Sequence, residues 1–241
     1  MKSNIYKIDD QIGFVLHTVP WRETSQIVEV ITAQYGRIPL IAKGSKRPRS
    51  PIRGLLMPFQ PLKLSWSGSN ELRTLRNAEW VGGIPQLTGE NIFCGFYLNE
   101  LLIKLLPRDD PHEDLFEKYY TTVFSLAKNE TIEPLLRSFE LTLLKELGFS
   151  PSLSHDGNTH QEIRKEQYYC FDLERGMIEV SSSNEKRLQF LGKTLIDLNN
   201  NDFTDTKTLF ESKILMRLLL NQCLGDNDLQ TRRILQELPL L

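Results

Sequence analysis

Polar and apolar residues alternate along much of the first 80 residues, with the period of two that is typical of half-buried β-strands. Turn-forming residues such as Tyr35-Gly36 and Ser67-Gly68 separate these runs. The pattern predicts five short strands, at residues 13–19 (ended by Pro20), 26–31, 37–42, 62–66 and 72–76. Because no helix long enough to cover a parallel sheet lies between them, the strands indicate a small antiparallel barrel, and the OB-fold is a five-stranded barrel.

The period changes to that of amphipathic helices after Gly82-Gly83 and Pro85. Helices are predicted at about residues 92–106, 111–126 (with Asp110 as cap and Pro111 in the first turn), 133–147 (stopped by Gly148), 206–223 and 229–238. Between the third and fourth helices, residues 168–173 and 177–180 flank Gly176 as a β-hairpin. The fold class is therefore α+β: an N-terminal OB-fold barrel at 1–81, then a mainly helical domain at 82–241 with an irregular and β-hairpin insertion at about 150–181.

Charge is distributed unevenly between these two parts. Residues 1–80 carry 12 basic and 6 acidic side chains, whereas residues 81–241 carry 17 basic and 25 acidic ones. The net charge of −2 therefore conceals a basic module joined to an acidic one. A basic field attracts polyanions, and nucleic acid is the leading candidate.

The basic residues concentrate in one loop-like stretch, Lys43 to Arg53, which glycines and prolines interrupt. Phosphate groups are bound by cations and backbone N–H groups, and aromatic side chains stack on bases. The candidate DNA-binding residues are Arg37, Lys43, Lys46, Arg47, Arg49, Arg53, Arg73 and Arg76. The aromatic residues available as base platforms are Phe14, Trp21, Tyr35, Phe59 and Trp66, for each of which a place in the barrel core is the favoured interpretation. The alternative for the loop is a solvated surface segment without a ligand.

Other chemistries have weaker support in the sequence. The three cysteines are far apart and form no CxxC pair, no phosphate-binding loop of the Walker type is present, and no cofactor is predicted. His155, Asp156 and His160 suggest a metal-dependent nuclease as an alternative, but their spacing is not a standard zinc motif, so no metal site is predicted. Neither a signal peptide nor an apolar run of membrane-spanning length is found, which favours the cytoplasm.

Short strings along the chain resemble the RecO family of bacterial recombination mediators. They include Trp21-Arg22-Glu23-Thr24-Ser25, Tyr35-Gly36-Arg37, Pro58-Phe59-Gln60-Pro61, Tyr97-Leu98-Asn99-Glu100-Leu101-Leu102, Arg137-Ser138-Phe139-Glu140-Leu141 and Leu229-Gln230-Thr231-Arg232-Arg233. Each string is short, but their order and spacing extend over nearly the whole chain. Many family members carry a four-cysteine zinc site in the segment that corresponds to about 150–180, where this chain has only Cys170, so it resembles a zinc-free branch.

The resemblance implies a DNA repair and recombination mediator that is not an enzyme. It implies binding of single- and double-stranded DNA, annealing of complementary strands, and partnership with RecR and with the single-stranded-DNA-binding protein SSB in loading the RecA recombinase. The acidic SSB tail would dock on the helical domain at Arg137, with Phe139, Leu143 and Leu144 as apolar neighbours. From composition alone Arg137 reads as a solvated arginine paired with Glu133 or Glu140. An RNA-binding OB-fold module with a helical scaffold, and a purely structural scaffold, stay open as alternatives.

Overall fold

The structure, a computed structural model, describes residues 6–69, 71–180, 187–225 and 227–237. Its residues cluster into two compact units, each with its own contacts. The first unit contains the described residues up to Ile132 together with those from Asn227 onward, and the second unit contains those between Glu133 and Asp226. The boundary at 81/82 that the change of period indicates remains a prediction.

The N-terminal strands form a closed five-stranded barrel, which confirms the predicted fold class. They are β1 (Lys7–Trp21), β2 (Ser25–Thr32), β3 (Gly36–Ala42), β4 (Pro61–Ser67) and β5 (Arg73–Trp80). Their order around the barrel is β1-β2-β3-β5-β4, and β4 pairs with β1. The barrel closes through a short parallel contact that pairs Leu40 of β3 with Arg73 of β5. Apolar side chains from all five strands fill its interior, among them Val30, Ile38 and Trp66.

The first strand is longer than the pattern predicts, because Pro20 does not end it. Pro20 lies within β1, opposite Gln26 of β2. The pairing of β1 with β4 stops at Phe14, so the later part of β1 has a ladder partner on one side only. A proline on such an open edge sacrifices no hydrogen bond of the sheet. The expectation that Pro20 ends the strand was therefore wrong.

The described residues of the first unit form three helices: α1 (Glu90–Leu105), α2 (Glu113–Ala127) and α6 (Gln230–Glu237). Asn99 of α1 donates from Nδ2 to the Leu16 carbonyl at 2.9 Å, which ties that helix to β1. Phe14 on β1 packs edge-on against Tyr119 of α2. The carboxylate of Glu100 accepts from the backbone N–H groups of Gln230 and Thr231, and so satisfies the first free donors of α6.

Helix α2 begins later than predicted, with His112 in place of Asp110 at its cap position. The preceding segment is held along the barrel instead: the Asp109 N–H donates to the Arg37 carbonyl at 3.0 Å. This close approach requires glycine at position 36, because a Cβ there would lie 2.0 Å from the Asp110 carbonyl oxygen. Tertiary contacts thus delay the helix beyond the local capping signal.

The second unit combines helices with a small sheet. Its elements are α3 (Ile132–Glu146, which begins at the boundary), β6 (Tyr168–Asp172), β7 (Gly176–Glu179), β8 (Gln189–Leu191), α4 (Gly192–Asn199) and α5 (Thr206–Leu224). The predicted hairpin is confirmed as β6 and β7, and Gly176 has φ +81° at its turn. Strand β8 and helix α4 were not predicted, since three and eight residues are too few to show a clear period. Among the described residues, no helix combines the length and apolar character needed to cross a membrane.

Candidate nucleic-acid interface

The loop after β3 is a chain of tight turns anchored to the barrel; residues 43–54 are called the basic loop below. Hydrogen bonds three residues apart follow one another along it, including Arg47 N to the Gly44 carbonyl at 3.1 Å and Ser50 N to the Arg47 carbonyl at 3.0 Å. The buried Ser45 hydroxyl donates to the Ala42 carbonyl at 2.8 Å, and Ile52 packs against the barrel core. The loop therefore has a fixed inner side.

Five cations lie on the outer side of this loop. Lys43, Lys46, Arg47, Arg49 and Arg53 are all exposed. None of the ion pairs formed within residues 6–69, 71–180, 187–225 and 227–237 involves any of them. An anchored loop with uncompensated cations is suited to binding phosphates, because little ordering entropy is lost on binding.

Arg37, another candidate, lies in a different environment. Its Nη1 is 3.1 Å from Oε2 of the buried Glu29, and its Nε donates to the Leu106 carbonyl at 2.9 Å. The other Glu29 oxygen contacts Arg108. Burial lowers the pKa of the Arg37 guanidinium, and Glu29 opposes that shift. Arg37 thus neutralises a buried carboxylate and holds the segment after α1 against the barrel.

Arg73 and Arg76 are also paired with carboxylates. Arg73 Nη2 lies 2.6 Å from Asp109 Oδ1, and Arg76 Nη1 lies 3.0 Å from Asp9 Oδ1. The structure therefore brings five of the eight candidate cations together on the basic loop and gives the other three intramolecular partners. The basic loop is therefore the part of the barrel best suited to bind phosphates, and Arg37, Arg73 and Arg76 stay candidates that would have to exchange a carboxylate partner for a phosphate.

Helix α3 holds the residues expected to receive an acidic tail. Phe139, Leu143 and Leu144 are fully buried, and Arg137 is 7% exposed. Arg137 Nη2 pairs with Glu140 Oε1 at 2.7 Å, which is one of the two partners that helical spacing indicates. Among the described residues, Arg137 Nε has no hydrogen-bond acceptor. The guanidinium thus keeps a free donor while it is largely removed from water.

Two further cations of this unit were missed by sequence reasoning. Burial lowers the pKa of Lys213, and the charges of Arg217 and Arg137 lower it further. Arg137 and Arg217 therefore each lie close enough to Lys213 to repel its charge, and the nearby Glu133 and Glu140 oppose that effect. Lys213 and Arg217 lie one helical turn apart on α5, so the sequence could have indicated that these two cations share a face of the helix. Their proximity to Arg137 depends on tertiary structure.

The His155, Asp156 and His160 segment is built around Asp156. The Asp156 carboxylate accepts from the backbone N–H groups of Asn158 at 2.8 Å, Thr159 at 2.7 Å and Glu179 at 2.6 Å. The described residues contain no cluster of three or more His, Cys, Asp or Glu side chains that could hold a metal. The carboxylate is committed to organising this segment.

Replacing Asp156 with asparagine is expected to lower the free energy of unfolding by about 2–3 kcal/mol at pH 7, since the charge-assisted hydrogen bonds are weakened. Burial alone would raise the pKa of Asp156, but the hydrogen bonds from Thr159, Glu179 and Asn158 keep it below its ordinary value. The contribution is therefore present above the pKa of the unfolded chain and is lost as the pH falls through the folded value.

Urea unfolding of both proteins between pH 3 and 8 measures this difference. Asp202→Asn is the matched control, because Asp202 accepts from Thr204 in a similar turn but is exposed. A loss as small as that of the control would show that Asp156 does not organise the segment.

Comparison with known proteins identifies the family. A family model described as "Recombination protein O N terminal" matches residues 8–84, and one described as "Recombination protein O C terminal" matches residues 86–225. The chain belongs to the RecO family. It is 47% identical over 239 residues to DNA repair protein RecO of Aromatoleum aromaticum, an alignment that covers 99% of this chain and 100% of that protein. It is 50% identical over 232 residues to DNA repair protein RecO of Nitrosospira multiformis, with 96% of each chain covered.

The two RecO family matches correspond to different parts of the structure. The N-terminal RecO match coincides with the barrel and the basic loop, and the C-terminal match extends from α1 to α5. In the segment between α3 and α4, this RecO chain has a single, buried Cys170. The hydrogen bonds of Asp156 supply the local cross-links there.

Proposed function

We propose that this RecO-family protein acts in DNA repair and homologous recombination as a DNA-binding mediator, and that no bond-making chemistry is part of its role. The observation that carries the proposal is the basic loop, where five exposed cations on an anchored scaffold form no ion pair with a carboxylate of the described residues. Family membership favours DNA as the polyanion, because the relatives are named as DNA repair proteins.

Annealing follows from the same charge. Two complementary strands repel each other through their phosphates, and cations that contact both strands reduce that repulsion. A loop with five outward cations binds phosphates of either strand without reading the sequence, since contacts to phosphates carry no base information. The protein is therefore proposed to bind single- and double-stranded DNA and to speed the pairing of complementary strands.

Recruitment to SSB-coated DNA is assigned to the second unit. The charges of Arg137 and Arg217 lower the pKa of Lys213, so these residues supply positive charge at α3 and α5. An acidic peptide that ends in phenylalanine matches this charge, because its carboxylates relieve the repulsion on Lys213. Phe139, Leu143 and Leu144 are fully buried on the same helix as Arg137. Together with RecR, the protein would then help to load the RecA recombinase.

Annealing of two complementary strands pre-coated with SSB tests the proposal as a whole. We expect fast annealing with full-length SSB and at least about a tenfold slower reaction with tail-less SSB, the size expected when a charge-assisted contact is lost. Naked strands should be annealed in either case. Annealing of naked strands alone would leave a generic basic DNA-binding protein. Folded protein that anneals neither substrate would favour an RNA-binding or scaffold role instead.

A further inference from the structure

Trp21 is the accessible member of the five aromatic side chains that the sequence offers as base platforms. Phe14, Phe59 and Trp66 are buried in the structure. Tyr35 packs edge-on against Trp66, with ring centroids 5.2 Å apart. Trp21 is 39% exposed, at the end of β1. It is therefore the ring among these five that is free to receive a ligand.

The tip of the β1–β2 hairpin, residues 21–25, lies against the basic loop. Trp21 pairs directly with Ser25, so the two side chains share one face of the hairpin. The Ser25 hydroxyl accepts from the backbone N–H of Gly44 at 3.2 Å, and Lys46 N donates to the Thr24 carbonyl at 2.9 Å. The face that carries Trp21 is thus the face on which the basic loop begins.

Three cations belong to the two segments that meet here. The position that a Cβ would take on Gly44 lies 3.6 Å from Arg47 Nε, so the guanidinium extends over the Gly44 backbone. The backbone of Lys46 is held by its hydrogen bond to the hairpin tip. Arg22 follows Trp21 in the turn and is exposed, with φ +53°. Trp21 thus lies in the hairpin tip that contacts the basic loop, next in sequence to the exposed Arg22 and close to the loop segment that carries Lys46 and Arg47.

We propose that Trp21 is a base-stacking platform for single-stranded DNA, with Arg22, Lys46 and Arg47 holding the adjacent phosphates; this rests on the proposed function of the basic loop. Unpaired bases offer their faces to an aromatic ring, whereas bases within a duplex are already stacked on each other. The ring and the charges thus select the single-stranded form of the ligand that the basic loop binds in either form.

The test compares Trp21→Ala and Trp21→Phe with the wild-type chain on an oligothymidine strand and on a duplex of equal length. We expect Trp21→Ala to weaken single-strand binding about 5- to 150-fold, the range for loss of one stacked base, and to leave duplex binding unchanged. Trp21→Phe should retain most of the affinity. The salt dependence should keep its slope, because no phosphate contact is removed.

Trp80→Ala is the matched control, since Trp80 is a more exposed tryptophan of the same barrel (63%) whose Nε1 donates to Gln60. It should change neither affinity. Tryptophan fluorescence gives a second readout that does not depend on the folding of the alanine variant. The oligothymidine strand should quench the fluorescence of the wild-type chain, and most of that quenching should be absent in Trp21→Phe.

The outcomes separate this inference from the proposal on which it rests. The stacking role is overturned if Trp21→Ala binds both DNA forms as the wild type does, or binds both equally weakly, or if Trp21→Phe is still fully quenched. In each of these cases the proposed function stands as long as the basic-loop variants lose affinity for DNA. If charge reversal of the basic loop leaves DNA binding intact, the proposed function itself fails, and the stacking role fails with it.

Discussion

Reversal of Lys43, Lys46, Arg47 and Arg49 to glutamate is expected to lower the affinity for single-stranded DNA at least about 100-fold at 0.1 M salt. The four side chains are exposed and belong to no ion pair among the described residues, so their replacement costs the fold little. Five loop cations that contact phosphates predict a slope of log K against log salt of about −3.5 on single strands, and loss of four should reduce it to near −0.7.

Fluorescence anisotropy with a labelled oligothymidine strand, titrated between 0.05 and 0.3 M salt, measures both quantities. The matched control reverses four exposed cations elsewhere, Lys128, Lys145, Lys165 and Arg233, which gives the same net charge. An equal loss of affinity in both variants would show that net charge decides binding rather than the basic loop.

Arg37 provides a further comparison within the same barrel. Replacement of Arg37 leaves Glu29 with one fewer cation. The free energy of unfolding should therefore fall by about 3 kcal/mol, the general cost of breaking a buried ion pair, whereas the affinity for DNA should fall less. This contrast separates the cations that hold the barrel together from those that face a ligand.

Replacement of Arg137 by alanine is expected to weaken binding of an acidic, phenylalanine-ended SSB-tail peptide about 10- to 100-fold, the loss of one or two charge-assisted hydrogen bonds. Naked single-stranded DNA should bind as before, because Arg137 lies in the second unit while the basic loop lies in the first. Peptide anisotropy and oligothymidine binding, measured on the same preparations, give the two affinities.

Because Arg137 is buried beside Glu140, the alanine variant also removes an internal ion pair. Lys213→Gln therefore serves as a second variant, at the cation near Arg137, with Lys145→Gln at the exposed end of α3 as control. Bound peptide carboxylates should also raise the depressed pKa of Lys213. Equal loss of peptide and DNA binding in the Arg137 and Lys213 variants would contradict the division of labour between the two units.

The local pattern of polar and apolar residues predicted most of the secondary-structure elements. Alternation in the first 80 residues predicted the five strands, and the period of amphipathic helices predicted α1, α2, α3, α5 and α6. The predicted ends differ from the observed ends by a few residues. Where local signals failed, longer-range contacts were responsible. Pro20 continues β1 because one edge of that strand is open, and α2 starts after Asp110 because the preceding segment is held along β3.

The candidate interface was only partly predictable. The sequence alone determined that the positive charge is concentrated near the barrel and that the chain resembles the RecO family, because charge count and residue order are properties of the sequence. Tertiary structure decided which cations are free: Arg73 meets Asp109, and Glu29 meets Arg108, which is 79 residues away in the chain. It also decided which tryptophans are exposed and that Lys213 lies near Arg137. Pairing and burial depend on distances across the folded chain, and a linear sequence does not contain those distances.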